Sequence, residues 1–150
     1  MLATIAARLN LGRIQGHELP GLATELLTAG YDSLPLRELA GETTPTLEDW
    51  AARFAAALAQ AGAPSLTRQQ AKRVLLRATS ADIVAGRLAP EAGATQLATL
   101  WIEFPADRDL GRYYALADDW LEYPEQRDAL AAEIIAHAQA IVSRADPVDS

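Results

Sequence analysis

The sequence predicts an all-α fold in which about eight helices form one compact bundle from two similar four-helix halves. Apolar residues recur at three- and four-residue spacing along nearly the whole chain, and no segment alternates as a half-buried strand would. Prolines and glycines stand at intervals that suit helix starts and ends. Short pieces of the first half also return in the second half, 74 to 77 residues later.

Prolines and small polar residues mark the predicted helix starts. Ser33 and Thr44 are expected to be N-caps, and Thr67 with Gln70 has the spacing of a capping box. Proline suits the first helical turn because it has no amide hydrogen to lose there and its φ already matches the helix. Four prolines stand at such positions: Pro20, Pro35, Pro45 and Pro90.

Glycines mark the predicted helix ends, because glycine adopts the left-handed conformation that closes a helix. Four stand where such a residue is expected: Gly30, Gly41, Gly62 and Gly86. The resulting helices cover residues 2–10, 19–29, 34–40, 45–61, 67–85, 90–103, 108–122 and 125–144.

Short matching pieces occur in the same order in the two halves of the sequence. We predict one domain over residues 1–145, with pseudo-repeats at about 1–62 and 65–144, followed by a flexible tail at 146–150. Chance matching in an alanine- and leucine-rich chain is the alternative explanation. The matched pieces are Gly12-Arg13-Ile14 with Gly86-Arg87-Leu88, Leu22-Ala23-Thr24 with Leu97-Ala98-Thr99, Asp32 with Asp107, and Leu39-Ala40 with Leu116-Ala117.

Composition predicts a globular cytoplasmic protein. Half of the 150 residues are apolar and 22% are charged, as in ordinary soluble domains. There is no cysteine, so no disulfide or zinc-thiolate site is expected. The first eleven residues lack the pattern of a secretion signal, and no apolar run has the length of about 20 residues that a membrane-spanning helix needs.

The charge is divided unevenly. Residues 1–75 contain 7 acids and 7 bases, whereas residues 76–150 contain 13 acids and 6 bases, so the net charge of −7 lies in the second half. This distribution disfavours nucleic acid and anionic membrane as partners and is compatible with a protein partner that has a basic surface. The alternative interpretation is that the acids serve solubility.

Catalytic motifs are missing from the sequence. There is no GxGxxG, Walker A, HExxH, GxSxG or EF-hand pattern, so we assign no catalytic residue, metal ligand or cofactor, and whether the protein is an enzyme stays open. Glu133 and His137 have the spacing of an acid–base pair on one helix, but a histidine bound to a neighbouring carboxylate explains the pair more simply.

Aromatic and acidic residues interleave between Trp101 and Tyr123, which holds six of the nine aromatics. Such a mixture can form a surface that binds a basic partner, since tyrosine and tryptophan give a large contact area at low entropic cost. Three carboxylates could instead hold a hard cation such as magnesium. The candidate partner-binding residues are Asp118, Asp119, Trp120, Glu122 and Tyr123.

A helical wheel of residues 108–122 favours a third explanation. It places the acids Asp118, Asp119 and Glu122 on one side and the apolar residues on the other, as in an ordinary amphipathic helix with its aromatics in the core. The apolar arc contains Leu110, Tyr113, Tyr114, Ala117, Trp120 and Leu121.

Several segments resemble a pattern found in uncharacterised bacterial proteins, especially of actinobacterial type. Residues 86–94 match G-x-(I/L)-x-P-x-x-G-A, and Leu116-Ala117 through Trp120 matches a later L-A-x-x-W, followed by Pro124-Glu125. Residues 32–41 resemble D-S-x-x-L-R-E-L-A-G of similar chains. The resemblance implies that the glycine, proline and tryptophan positions are architectural, and it brings no activity or catalytic residue with it.

The leading functional hypothesis is a protein-interaction domain, of immunity or antitoxin type, whose acidic second half binds a basic protein. A small metal-dependent hydrolase that uses the same carboxylates is an alternative from another class. A structural homodimer is the third.

Overall fold

The computed structural model describes residues 1–144, which form eight α-helices and two single-turn 3-10 helices, with no strand in that range. The prediction of an all-α protein with about eight helices is confirmed. None of the helices in the described range is both long enough and apolar enough to cross a membrane. The helices are α1 (Leu2–Asn10), α2 (Leu19–Thr28), α3 (Leu34–Ala40), α4 (Leu47–Gln60), α5 (Arg68–Val84), α6 (Pro90–Trp101), α7 (Arg108–Glu122) and α8 (Arg127–Ser143), and the 3-10 turns are Gly16–Glu18 and Pro124–Gln126.

Two predicted helix starts are confirmed by their capping bonds. The Ser33 hydroxyl accepts the Leu36 N–H at 3.5 Å at the start of α3. Ahead of α5, the Gln70 N–H donates to Thr67 Oγ1 at 3.2 Å and the Thr67 N–H donates to Gln70 Oε1 at 2.9 Å. This reciprocal pair is a capping box, which satisfies two amides that the helix itself cannot.

The predicted start of the fourth helix, with Thr44 as its cap and Pro45 in its first turn, is wrong. The helix begins at Leu47 and its N-cap is Thr46, whose extended backbone brings its hydroxyl within 3.2 Å of the Asp49 N–H. The Thr46 hydroxyl also donates to the Asp49 carboxylate at 2.8 Å. Thr46 therefore caps the helix better than Thr44, because its hydroxyl binds both the amide and the carboxylate of Asp49. The helix begins two residues later than predicted for this reason.

Three of the four glycines predicted to close helices do so in the left-handed conformation, and Gly41 does not. Gly41 has a φ of −91°, and its N–H bonds the Glu38 carbonyl at 3.2 Å, so α3 tightens into a right-handed final turn. The prediction for Gly41 is therefore wrong. The confirmed positions have φ of 97° at Gly30, 102° at Gly62 and 74° at Gly86.

The repeated tripeptides at Gly12 and Gly86 have the same backbone geometry. Their φ angles are 67° and 74°, and in each case the next residue donates its N–H to a carbonyl five residues back, at 2.7 and 2.9 Å. Each glycine N–H also bonds the carbonyl three residues back. Both tripeptides therefore close a helix with a Schellman motif.

The chain divides into two compact units, Met1–Val74 and a second from Leu75 onward, and the division falls within α5. In the first unit α2 packs on α3, and α1 and α3 pack on α4. In the second unit α6, α7 and α8 pack on one another. The prediction of a single domain with two pseudo-repeats stays a prediction, and the whole predicted tail at 146–150 lies, with Ala145, outside the described residues.

Each unit has its own set of buried apolar side chains. In the first unit the cluster includes Ile5, Leu19, Leu26, Leu36 and Phe54. In the second, the fully or almost fully buried side chains include Leu97, Leu110, Tyr113, Leu116 and Ile134. The leucines of the matched pieces are core residues in both halves, at Leu22 and Leu97 and at Leu39 and Leu116.

Glu18 ties the turn after α1 together through both of its carboxylate oxygens. Arg8 Nη2 donates to Glu18 Oε1 at 2.6 Å and to the Arg13 carbonyl at 3.1 Å, and the Gln15 N–H donates to Glu18 Oε2 at 2.8 Å. Partial burial by itself raises the Glu18 pKa, but the Gln15 amide and the Arg8 guanidinium outweigh it and hold the pKa below its ordinary value of 4.5.

We expect this carboxylate to make stability depend on pH in the acid range. Because the folded pKa lies below the unfolded one, the contribution is complete above pH 4.5 and is lost as the pH falls through the folded value. Glu18→Gln should melt below wild type at neutral pH, and the gap should narrow as melting is repeated at progressively lower pH. Glu25→Gln, at an exposed acid of the same unit, is the control; a gap for Glu18→Gln that does not narrow in acid would contradict the prediction.

Candidate partner-binding surface

The predicted partner-binding residues lie at the C-terminal end of α7. Asp107 caps the start of this helix by accepting the Leu110 N–H at 3.0 Å. The helix ends at Glu122 because Pro124 follows, and the Tyr123 N–H still bonds the Asp119 carbonyl at 2.8 Å. The five residues therefore belong to one helix end, which we call the acidic aromatic surface: Asp118, Asp119, Trp120, Glu122 and Tyr123.

These five side chains are not equally accessible. Asp118, Glu122 and Tyr123 are exposed, and 38% of Tyr123 is open to solvent. Asp119 and Trp120 are half-buried. A partner could therefore reach most of the surface directly, but only part of the tryptophan.

An exposed arginine of the same chain, Arg127, lies over one face of Trp120. The Arg127 guanidinium carbon lies 5.2 Å from the centroid of the indole, within the range of a cation–π contact. Arg127 Nε also donates to the Trp120 carbonyl at 3.2 Å. This arginine joins the start of α8 to the end of α7 and makes the tryptophan partly structural.

Tyr123 sits among carboxylates. Its pKa lies above the ordinary value of 10.0, chiefly because of the negative charge of Glu122, with burial, the charge of Asp119, a hydrogen bond to Glu122 and the charge of Glu125 adding to the effect. Each of these carboxylates disfavours a phenolate and favours a cation brought to the same place. The phenol is thus a neutral aromatic ring in a negative environment.

The prediction that Leu121 and Tyr114 face the core is wrong. The helical wheel put Leu121 and Tyr114 on the core side, yet 75% of Leu121 and 42% of Tyr114 are exposed. The buried residues of α7 are Leu110, Tyr113 and Leu116, which are spaced by three. Because the helix has 3.6 residues per turn, buried residues at three-residue spacing form a stripe that winds around it. Tyr114 and Leu121, which are seven residues apart, lie beside this stripe.

Trp101 extends the apolar part of the surface from α7 to the end of α6. Its ring stacks on Tyr114 with centroids 4.6 Å apart and an interplanar angle of 29°. Gly111, one turn earlier on α7, makes room for it, since a Cβ at this glycine would lie 3.2 Å from Trp101 Nε1. Ile102, the next residue along the chain, is 71% exposed.

The two residues of the other candidate pair, Glu133 and His137, have different partners. Glu133 accepts from Arg112 at 3.1 Å. His137 Nε2 lies 3.1 Å from the Asp109 carbonyl oxygen and must donate to it, because a carbonyl can only accept. His137 therefore binds a backbone group rather than the expected carboxylate.

Among residues 1–144, no three acidic or histidine side chains come together in a way that could hold a metal ion. No family model, no curated protein and no solved structure matches this chain.

Proposed function

We propose that the protein is an interaction domain that binds a basic protein partner through the acidic aromatic surface together with Leu121. One observation carries the proposal: the exposed side chains of Leu121 and Tyr123 lie within a segment, residues 113–126, that has four carboxylates and no basic residue. The carboxylates are Asp118, Asp119, Glu122 and Glu125.

The two chemistries have separate tasks in such an interface. Leucine and tyrosine supply apolar area that leaves water on binding. A few residues carry most of the affinity of an interface, and tyrosine is among the most frequent of them. The carboxylates attract a basic partner over longer distances and raise the association rate, an effect that salt screens. A cationic group of the partner could also lie on an exposed aromatic ring, as the Arg127 guanidinium of this chain lies on the Trp120 ring.

An immunity- or antitoxin-like role fits this chemistry. A toxin that acts on nucleic acid needs a basic cleft, and a carboxylate-rich helix end can occupy such a cleft. Self-association through the same surface is less favourable, because a two-fold axis would bring like charges of both copies together. We therefore propose a basic partner rather than a second copy.

Affinity capture with matched variants tests the proposal. Immobilised protein should retain a basic partner in stoichiometric amount from a lysate of the source organism. Leu121→Ala and Glu122→Lys should each reduce the retained amount by about ten-fold or more, as expected for central residues of an interface. Quantitative mass spectrometry of the eluates gives the measurement.

The first unit offers a control for each change. Leu34→Ala removes a leucine that is 63% exposed on α3, and Glu42→Lys reverses an exposed acid. Both should retain the partner as wild type does. If no stoichiometric partner is retained, or if the surface variants retain as much of it as the controls, the proposed function is wrong.

A further inference from the structure

A ridge of alternating aromatic, acidic and apolar side chains runs along the exposed flank of α7. Tyr114, Asp118, Leu121 and Glu122 are separated by four, three and one residues, so they lie on one side of the helix over about two turns, or about 12 Å. Tyr114 and Leu121 are the apolar members, and Asp118 and Glu122 are the exposed acids beside them.

We propose that the occupant of this ridge is a cationic amphipathic helix of the partner. The proposal rests on the function proposed above and specifies which element of the partner makes the contact. The apolar face of that helix would pack on Tyr114 and Leu121, and its arginine or lysine residues would reach Asp118 and Glu122.

The backbone of α7 favours a helical occupant over an extended one. The amides and carbonyls in the middle of α7 bond within the helix, and the described residues contain no strand, so this surface offers no sheet edge for an added strand. An extended segment laid on the ridge would leave its own backbone groups unpaired against apolar side chains. A helix satisfies its backbone internally and presents only side chains, which pack into the grooves beside the ridge.

The acids on and beside the ridge favour a positively charged occupant. Between Arg112 and Arg127 the chain has only acidic charges, and Asp119 and Glu125 add to the two carboxylates of the ridge. An apolar ridge with acids along it is complementary to a helix with an apolar stripe and basic residues on its borders.

Tyr114 is already held in a fixed position for such a contact. Its ring is stacked on Trp101, which in turn approaches the backbone at Gly111. A side chain that is ordered before binding loses less conformational entropy on binding, so this tyrosine is suited to be an anchor.

Two synthetic peptides of the same composition, each about 15 residues long, provide the test. The first peptide has leucines at helical spacing bordered by arginines, with one proline at each end. The second peptide has the same residues, but both prolines stand at its centre, where they prevent a helix. Fluorescence anisotropy at about 150 mM salt should show the helical peptide binding about ten-fold or more tightly than the broken one.

The same variants locate the binding. Leu121→Ala and Glu122→Lys should each weaken the helical peptide about five- to ten-fold, whereas Leu34→Ala and Glu42→Lys should leave its affinity within about two-fold of wild type. Equal binding of the two peptides would overturn the inference, as would unchanged affinity in Leu121→Ala. If lysate capture depends on Leu121 but the peptides bind equally, the interaction function stands and the helical occupant is wrong. If the retained amount of no lysate protein depends on Leu121, the proposed function is wrong.

Discussion

Tyr113→Ala is expected to lower the free energy of unfolding by about 3–5 kcal/mol, the range for removing a large aromatic from a core. The side chain is completely buried on α7, and its ring meets the His137 ring edge-on with centroids 4.6 Å apart. Its hydroxyl lies 2.8 Å from the hydroxyl of Ser80, which is also completely buried. The change therefore leaves a cavity, a histidine without its packing partner and a serine without its hydrogen bond.

Tyr113→Phe separates the hydrogen bond from the packing. It leaves the Ser80 hydroxyl buried with its partner removed, which should cost about 1–3 kcal/mol. The double variant Ser80→Ala/Tyr113→Phe should recover part of this loss, because both polar groups are then gone. Urea unfolding followed by circular dichroism measures all of these differences.

Tyr114→Ala is the matched control, since it removes the same side chain from the adjacent, exposed position. It should cost about 1 kcal/mol, chiefly through the lost stacking on Trp101. If Tyr113→Ala and Tyr114→Ala destabilise the protein equally, the assignment of Tyr113 to the core is wrong.

The helices could be predicted from the sequence because their ends are specified locally. A capping threonine with a glutamine three residues later, or a glycine after an apolar stripe, needs only its immediate neighbours to act. Thr67 with Gln70, and Gly86, illustrate the two cases. The predicted start of α4 is wrong because two threonines flank Pro45, and the choice of N-cap between them depends on which hydroxyl reaches the Asp49 amide.

The candidate surface could be predicted only in part. The grouping of acids and aromatics is visible in the sequence, but burial is decided by which helices pack on α7. Tyr113 and Tyr114 are adjacent and chemically identical, yet one is fully buried and the other is 42% exposed. The exposure of Leu121 could have been inferred from the sequence. Acids lie on both sides of it, and Pro124, which ends the helix, follows three residues later, so few core contacts remain there. The contact between Arg127 and Trp120 depends on the turn at Pro124–Gln126, which no periodicity indicates.

Gly16→Ala is expected to destabilise the first unit by about 1–3 kcal/mol, although it adds only one methyl group. A Cβ at Gly16 would lie 2.5 Å from the Pro45 carbonyl oxygen, 3.1 Å from Thr46 Cα and 3.3 Å from Leu47 N. All three atoms belong to the backbone that leads into α4, so no side chain can rotate away to make room. The 3-10 turn and the capped helix start would have to separate, which weakens the Thr46 cap as well.

Gly21→Ala distinguishes this clash from the general effect of adding a methyl group. Gly21 is exposed in the first turns of α2, and a Cβ there would meet nothing within 4 Å. Alanine should therefore stabilise the protein by up to about 1 kcal/mol, because it reduces the freedom of the unfolded chain and favours the helix. The same substitution should thus have opposite signs at two glycines of one unit, as measured by the midpoints of urea unfolding. A Gly16→Ala protein as stable as wild type would contradict the predicted clash, in which the added Cβ lies 2.5 Å from the Pro45 carbonyl oxygen.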